Sequence, residues 1–283
     1  MSARPTGGGQ PHARAAGAAA TIVVKIGGRA LESPAAAAEL AADLAALHVP
    51  AVLVHGGGVE VSAWCARLGI EPRFLDGLRV TDEPTLEVAA AVLGGLANQR
   101  LVAILREAGV DAVGLSALDG GIVEAEPHPD AARLGEVGAI AQVHPQLLDL
   151  LLAHGRVPVL SSIAAYRGRL LNVNADDLAA ALAGTLKARA LMLLSDTPAL
   201  MLEGAAVTHL DRAGLDAAIT HPDVRDGMTP KLIAIRAALE AGVGRVHLAA
   251  WQGTGTLHAL LAGAGPGTVF EAEESPLPTE VRT

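Results

Sequence analysis

TIVVKIGG, residues 21–28, and AVLVHGGG, residues 51–58, are built alike: each is an apolar run rich in β-branched residues that breaks into glycine. Between them lies SPAAAAELAADLAALH, which opens on Ser33 and Pro34, the pairing of an N-cap with a first-turn proline, and is expected to be helical from Pro34 to His48. A second helix is expected from Val59 to Leu68. Strand and helix therefore alternate from the start, and strands joined through helices pair in parallel with the helices packed across them.

The alternation continues. Strands are expected at Thr21–Ile26, Ala51–His55, Ala112–Leu115, Val157–Ile163, Ala190–Ser195 and Arg245–Ala249. Further helices are expected at Pro84–Ala108, Asp176–Leu186 and Pro230–Ala241, with Gly109 and Gly242 placed to end two of them. This is an α/β pattern, a three-layer αβα sandwich around a mostly parallel open central sheet. Gly120–His144 breaks it and reads as hairpins or a lid-like excursion. Tyr166–Asn174 reads as a short hairpin leading into a helix, and a soft domain boundary falls there, between residues 21–170 and 171–283. Gly94–Gly95 inside an expected helix costs about 1 kcal/mol per residue relative to alanine. Close packing of another helix, within the chain or across a dimer, would explain the pair.

Composition narrows the function. Over 283 residues only 2% are aromatic while 51% are hydrophobic, so Ala, Val and Leu must fill the core. A net charge of −9 disfavours nucleic acid and anionic membranes as partners, since both reward a basic surface. The single cysteine, Cys65, excludes an internal disulfide and fits a reducing cytoplasm. No run is read as a membrane span. The first twenty residues carry Gly, Pro and Arg but no acid, which reads as a disordered tail, with a transit peptide as the other reading. The histidines show no metal-ligand spacing, and no carboxylate cluster suggests a protein-only metal site.

In parallel sheets, ligands bind beyond the carboxyl ends of the strands. Two glycine-ended strands, one carrying Lys25, place Gly27–Gly28 and Gly56–Gly58 there. Glycine lets backbone N–H groups approach an anion, and a helix N-terminus adds a favourable dipole. One such turn is as readily a tight connection without a ligand; two beside a lysine point to phosphate or carboxylate. The sequence has no G-x-x-x-x-G-K-[ST], no G-x-G-x-x-G and no protein-kinase catalytic loop, so a nucleotide must be held by another architecture.

Six segments in order, VKIGG (Val24–Gly28), HGGG (His55–Gly58), DGLRVT (Asp76–Thr81), LNVNADDLAAALA (Leu171–Ala183), LLSD (Leu193–Asp196) and DGMTPKL (Asp226–Leu232), resemble the amino-acid kinase family, most closely its branch acting on N-acetyl-L-glutamate. The resemblance spans roughly Thr21–Ala272 and implies the carbamate kinase-like fold. It implies transfer of the γ-phosphate of ATP, as its Mg²⁺ complex, to the side-chain carboxylate of N-acetyl-L-glutamate. A carboxylate is already ionised at neutral pH, so such a reaction needs no general base; it needs cations around the transferring group.

By resemblance, Lys25 and Lys231 stabilise the transition state and Asp176 holds both in place. Gly27 and Gly28 line the phosphate. Gly56 and Gly57 donate to the reacting end of the acceptor, Arg79 grips its α-carboxylate, and Asn172 binds the acylamino group. Asn174 is read as a helix cap, His55 as a support of its loop and Cys65 as a core residue. The nucleotide is expected on Asp196, Thr197, Pro198, Ala199, Leu200 and Met201, with Val224, Arg225 and Asp226. Ala199 stands where the family usually has glycine, and a positive φ there would strain it. The N-terminal lobe is expected to bind the acyl amino acid and to dimerise, and the C-terminal lobe to bind ATP. Sister reactions on succinylglutamate or a carrier-linked aminoadipate are the neighbouring readings. A non-catalytic regulatory homologue is less favoured, because Lys25, Asp176 and Lys231 are all present. Arginine-inhibited members carry an N-terminal helix that interlaces dimers. Pro5, Gly7–Gly9, Pro11 and Gly17 oppose one here, so the expectation is a homodimer without arginine inhibition.

Overall fold

The computed structural model describes residues 21–27, 31, 33–225 and 227–272. The tail of residues 1–20, Gly28 and Asp226 lie outside them. The chain begins with β1 (Ile22–Ile26), α1 (Pro34–Leu47), β2 (Ala51–His55), α2 (Gly58–Arg67), the hairpin β3 (Arg73–Leu75) and β4 (Leu78–Val80), α3 (Glu83–Ala89) and α4 (Asn98–Glu107). Next come β5 (Ala112–Ser116), β6 (Val123–Pro127), α5 (Ala131–Leu134), β7 (Val137–Val143), α6 (Gln146–Ala153), β8 (Val157–Ser161), β9 (Ile163–Tyr166), β10 (Arg169–Val173) and α7 (Ala175–Leu186). The last part holds β11 (Ala190–Ser195), β12 (Leu200–Leu202), β13 (Ala205–Val207), β14 (His209–Leu210), α8 (Arg212–Ile219), α9 (Met228–Glu240), β15 (Arg245–Ala250), α10 (Thr256–Leu261) and β16 (Thr268–Glu271).

Eight strands form the central sheet in the order β14-β16-β15-β11-β1-β2-β8-β5, and every pairing is parallel except β15 with β16. The chain leaves β1 in one direction for β2 and later returns on its other side through β11, so the carboxyl end of β1 borders the switch point where such sheets bind ligands. Helices cover both faces. Val23, Val52, Val54, Leu191 and Leu193 face Leu178 and Leu182 of α7 and Leu232 and Ile235 of α9. Ile22, Val24, Ile26 and Leu53 face α1, α4 and α10 through Leu40, Leu101 and Leu257. Side chains alternate along a strand, so Lys25 shares the face of Val23 and points toward α7 and α9.

Gly120–His144 contains the antiparallel pair β6 and β7, which joins β10 and β9 in a second sheet of four strands. The expected strand Val157–Ile163 is two strands, broken at Ser162 where the chain leaves the first sheet for the second. The expected helix Pro84–Ala108 is α3, a π-helical stretch at Ala90–Ala97, and α4. Gly94 and Gly95 lie in the π-helical part and are not packed by another helix of this chain. A Cβ on Gly95 would meet nothing within 4 Å, and one on Gly94 only the Ser161 hydroxyl at 3.9 Å. By length and composition, residues 83–107 are apolar enough to cross a membrane, which the reading of the sequence had missed. Leu86, Val92, Leu93, Leu101 and Leu105 are nevertheless buried against the rest of the chain.

Candidate active site

Asp176 stands in the first turn of α7, where Asn174 caps the helix by accepting the N–H groups of Asp176 at 2.7 Å and Asp177 at 3.1 Å. Its carboxylate meets Lys25 of β1 at 2.9 Å through one oxygen and Lys231 of α9 at 2.6 Å through the other. The spacing of α7 and α9 is set partly by Gly184, where a Cβ would lie 2.4 Å from that of Ala241. Burial alone would raise the Asp176 pKa, but the two ammonium groups override it and hold the carboxyl well below the usual carboxylate range. For Lys231, burial pulls the pKa below its ordinary value with Lys25 adding to the effect, while Asp176 and Asp196 push it back. One aspartate thus holds two ammonium groups side by side.

The cluster borders a cavity of about 270 Å³. Lys25 and Asp176 line it, with Gly56, Gly57 and Gly58 from the turn after β2, Arg79 from β4 and Asn172 from β10. The Arg79 guanidinium stacks on Phe74, 4.7 Å from the ring centroid, and its Nη2 donates to the Gly58 carbonyl at 2.7 Å and the Ser62 hydroxyl at 2.8 Å. Nη1 is buried and has no partner among the described residues. A guanidinium nitrogen fixed on one side and unpaired on the other suits an anionic oxygen. Asn172 donates to the Thr81 hydroxyl at 3.1 Å, and that hydroxyl donates to the Arg79 carbonyl at 3.0 Å. With its NH₂ engaged, Asn172 has its oxygen as the group to offer a ligand N–H.

The structure modifies the expectation for the glycine loop. The N–H of Gly56 already donates to the Ile26 carbonyl at 3.0 Å. The amides without such a partner among the described residues are those of Gly57 and Gly58, where α2 begins. Thr81 and Ser162, which the sequence reading passed over, also belong to this region: Thr81 fixes Asn172, and Ser162 lines the cavity. The order DGLRVT held a signal for Thr81, two residues beyond Arg79 on the same strand face.

The nucleotide expectations fall around Lys231 rather than in this cavity. Asp196 follows β11 and acts electrostatically on Lys231. The Thr197 N–H donates to the Ser195 hydroxyl at 3.1 Å. Leu200 is buried, its N–H held by the Thr268 hydroxyl at 2.8 Å, and Val224 is buried in the same core, so neither side chain faces a ligand. Pro198 and Met201 flank the loop, with Met201 exposed. Arg225 is exposed, its Nε donating to the Pro222 carbonyl at 2.7 Å. Ala199 is buried, and it is not among the non-glycine residues of positive φ, so the strain expected there is absent. Among the described residues, no group of three or more His, Cys, Asp or Glu is arranged to hold a metal ion.

The chain belongs to the amino acid kinase family, whose model matches residues 20–250. It is 38% identical over 264 residues to the acetylglutamate kinase of Acaryochloris marina, covering 89% of this chain and 92% of that protein. It is 37% identical over 259 residues to the chloroplastic acetylglutamate kinase of Arabidopsis thaliana, covering 88% of this chain and 75% of that one. Among solved structures, the N-acetylglutamate synthase of Neisseria gonorrhoeae, complexed with coenzyme A and N-acetyl-glutamate, superposes with a TM-score of 0.78 at 26% identity. That match takes in 90% of this chain but 60% of the synthase chain.

Proposed function

We infer that this chain phosphorylates the side-chain carboxylate of N-acetyl-L-glutamate with ATP, giving N-acetyl-L-glutamyl 5-phosphate and ADP for arginine biosynthesis. The observation that carries the reading is Asp176 holding Lys25 and Lys231 at a cavity that Lys25, Asp176 and Arg79 line together. In this reading Arg79 takes the α-carboxylate, the Asn172 oxygen takes the acylamino N–H, and the side-chain carboxylate lies toward Lys25. Lys25 and Lys231 then stabilise the charge of the transferring phosphoryl group, with Asp176 as their organiser. Gly27 and Gly28 are assigned to the phosphates. ATP lies over the carboxyl-terminal half, against 196–201 and 224–226, with Mg²⁺ held chiefly by its phosphates.

We place the acyl amino acid in the lobe of residues 21–170 and ATP in that of 171–283, in a cytoplasmic homodimer. A hydroxamate assay with ATP and Mg²⁺ tests the acceptor. N-acetyl-L-glutamate is expected to exceed N-succinyl-L-glutamate and an aminoadipate-loaded carrier protein in kcat/KM; preference for either of those overturns the assignment.

A further inference from the structure

His55 is fully buried at the end of β2, directly before the glycine loop, and the assignments above give it no part. Its Nδ1 lies 2.9 Å from the carbonyl oxygen of Gly56, and its Nε2 lies 3.0 Å from Nδ2 of Asn98. Asn98 is the first residue of α4, immediately after the π-helical stretch, and is itself buried. The same Asn98 nitrogen lies 2.9 Å from the Val159 carbonyl and 3.3 Å from that of Leu115. Two carbonyl oxygens beside one atom identify it as the NH₂ of the amide, because an oxygen there would face them both. Gly114 makes the room: a Cβ at that position would stand 2.3 Å from the Asn98 side-chain oxygen.

The tautomer of His55 follows by elimination. Asn98 can only donate from this nitrogen, so Nε2 accepts and Nδ1 carries the proton. Nδ1–H then donates to the Gly56 carbonyl. Burial lowers the His55 pKa, which favours this neutral ring. The peptide joining Gly56 and Gly57 is planar and trans, so its N–H points opposite to its C=O. Fixing the Gly56 carbonyl on His55 therefore aims the Gly57 N–H the other way. Gly57 lines the cavity, and its amide is one of those left without a partner.

We propose that His55 and Asn98 form a positioning relay that orients the Gly56–Gly57 peptide and so presents the Gly57 N–H to the anionic reacting end of the bound acceptor. Neither residue touches substrate. The relay acts through one peptide unit, and it rests on the reading of this cavity as the acceptor site. A glycine loop needs such a device because nothing in its own backbone chooses between the two flips of that peptide.

Two substitutions separate positioning from packing. In His55→Asn, the side-chain NH₂ falls near the place of Nδ1 and can still donate to Gly56. In His55→Gln, the amide falls near the place of Nε2 and keeps the Asn98 contact but loses that donation. Both cost packing. With wild type first shown to form a hydroxamate from N-acetyl-L-glutamate, His55→Gln is expected to lower kcat by at least about tenfold, in line with the cost of a misplaced reacting group. His55→Asn should lower it by no more than about threefold. The KM for ATP should hardly move in either variant, and the two melting temperatures should fall alike. Equal losses of kcat in the two variants would overturn the relay. Nitrogen-15 NMR of histidine-labelled wild type tests it without a variant and without any assumption about the acceptor. The expected spectrum shows His55 neutral and protonated on Nδ1 from pH 6 to 8; a ring protonated on Nε2, or charged at pH 7, contradicts it.

Discussion

Asp176 can hold two lysines because each takes a different carboxylate oxygen, Lys25 of VKIGG one and Lys231 of TPK the other. Removing either lysine takes a cation from a transition state that carries excess negative charge. Lys25→Ala and Lys231→Ala are each expected to lower kcat by at least about 10²-fold, the usual scale for losing one stabilising group. Arg79→Ala is expected instead to raise the KM for the acyl acceptor, since its contact exists before chemistry as well as during it. Steady-state kinetics on the three variants checks both; a KM effect at Lys25 with none at Arg79 would reverse the roles. Lys25, Arg79 and Asp176 were read from the resemblance of the motifs that carry them, and for Lys231 its place in the first turn of a helix, where the dipole disfavours a cation, added to that. Asn98 was not legible, because its partner His55 is 43 residues away, and the Thr81 contact with Asn172, 91 residues on, was not legible either, although DGLRVT carried the residue itself.

His247, on β15, gives a second prediction at this scale. It is buried, its Nδ1 has no partner, and its pKa is lowered to about 4 by burial first and by Arg245 second, against the opposing pull of Glu271. Between an unfolded value of 6.5 and that folded value, the unfolded chain binds the extra proton. Stability is therefore full above pH 6.5 and falls as pH drops toward 4, by up to about 3 kcal/mol. Urea denaturation of wild type and His247→Leu between pH 7 and pH 4.5 should show this slope in the first and a shallower one in the second. Parallel curves would refute it.

At the scale of elements, the hairpin of β3 and β4 brings Arg79 to the cavity, and Thr81 at its end is tied to Asn172 of the second sheet and to the segment around Gly135. Gly135 bridges Thr81, the Thr81 N–H donates to the Leu134 carbonyl at 2.8 Å, and the Glu136 N–H donates to the Thr81 carbonyl at 2.7 Å. Gly135 has φ of +75°, and a Cβ there would stand 2.3 Å from the Thr81 carbonyl oxygen. Gly135→Ala must move that strand, costing about 1–2 kcal/mol for the backbone conformation alone. It should lower the melting temperature and raise the acceptor KM while sparing the KM for ATP. A rise in the ATP KM alone would place the hairpin elsewhere in the reaction. The β1–α1–β2–α2 start was readable from period and punctuation. The pieces between 120 and 144 were not assigned strand by strand, because short strands of a second sheet carry too little periodicity. The break at Ser162 was hidden for another reason: only one residue separates β8 from β9, and only tertiary pairing divides them.

For the whole molecule, the helical stretch from Glu83 to Glu107 leaves Ala91 and Gly94 exposed beside buried Val92 and Leu93. We propose that this face pairs two copies. Light scattering should then give a dimer, and L-arginine should leave its activity unchanged. A hexamer that loses activity with arginine would contradict both expectations.

Which carboxylate receives the phosphate follows from assigning the α-carboxylate to Arg79 and the side-chain carboxylate to Lys25, both of which line one cavity. With ATP, Mg²⁺, hydroxylamine and N-acetyl-L-glutamate, the trapped product can be fragmented by tandem mass spectrometry to locate the hydroxamate. The site described here predicts modification at the side-chain carboxyl only. A hydroxamate at the α-carboxyl, or none from a folded and ATP-binding protein, would contradict it.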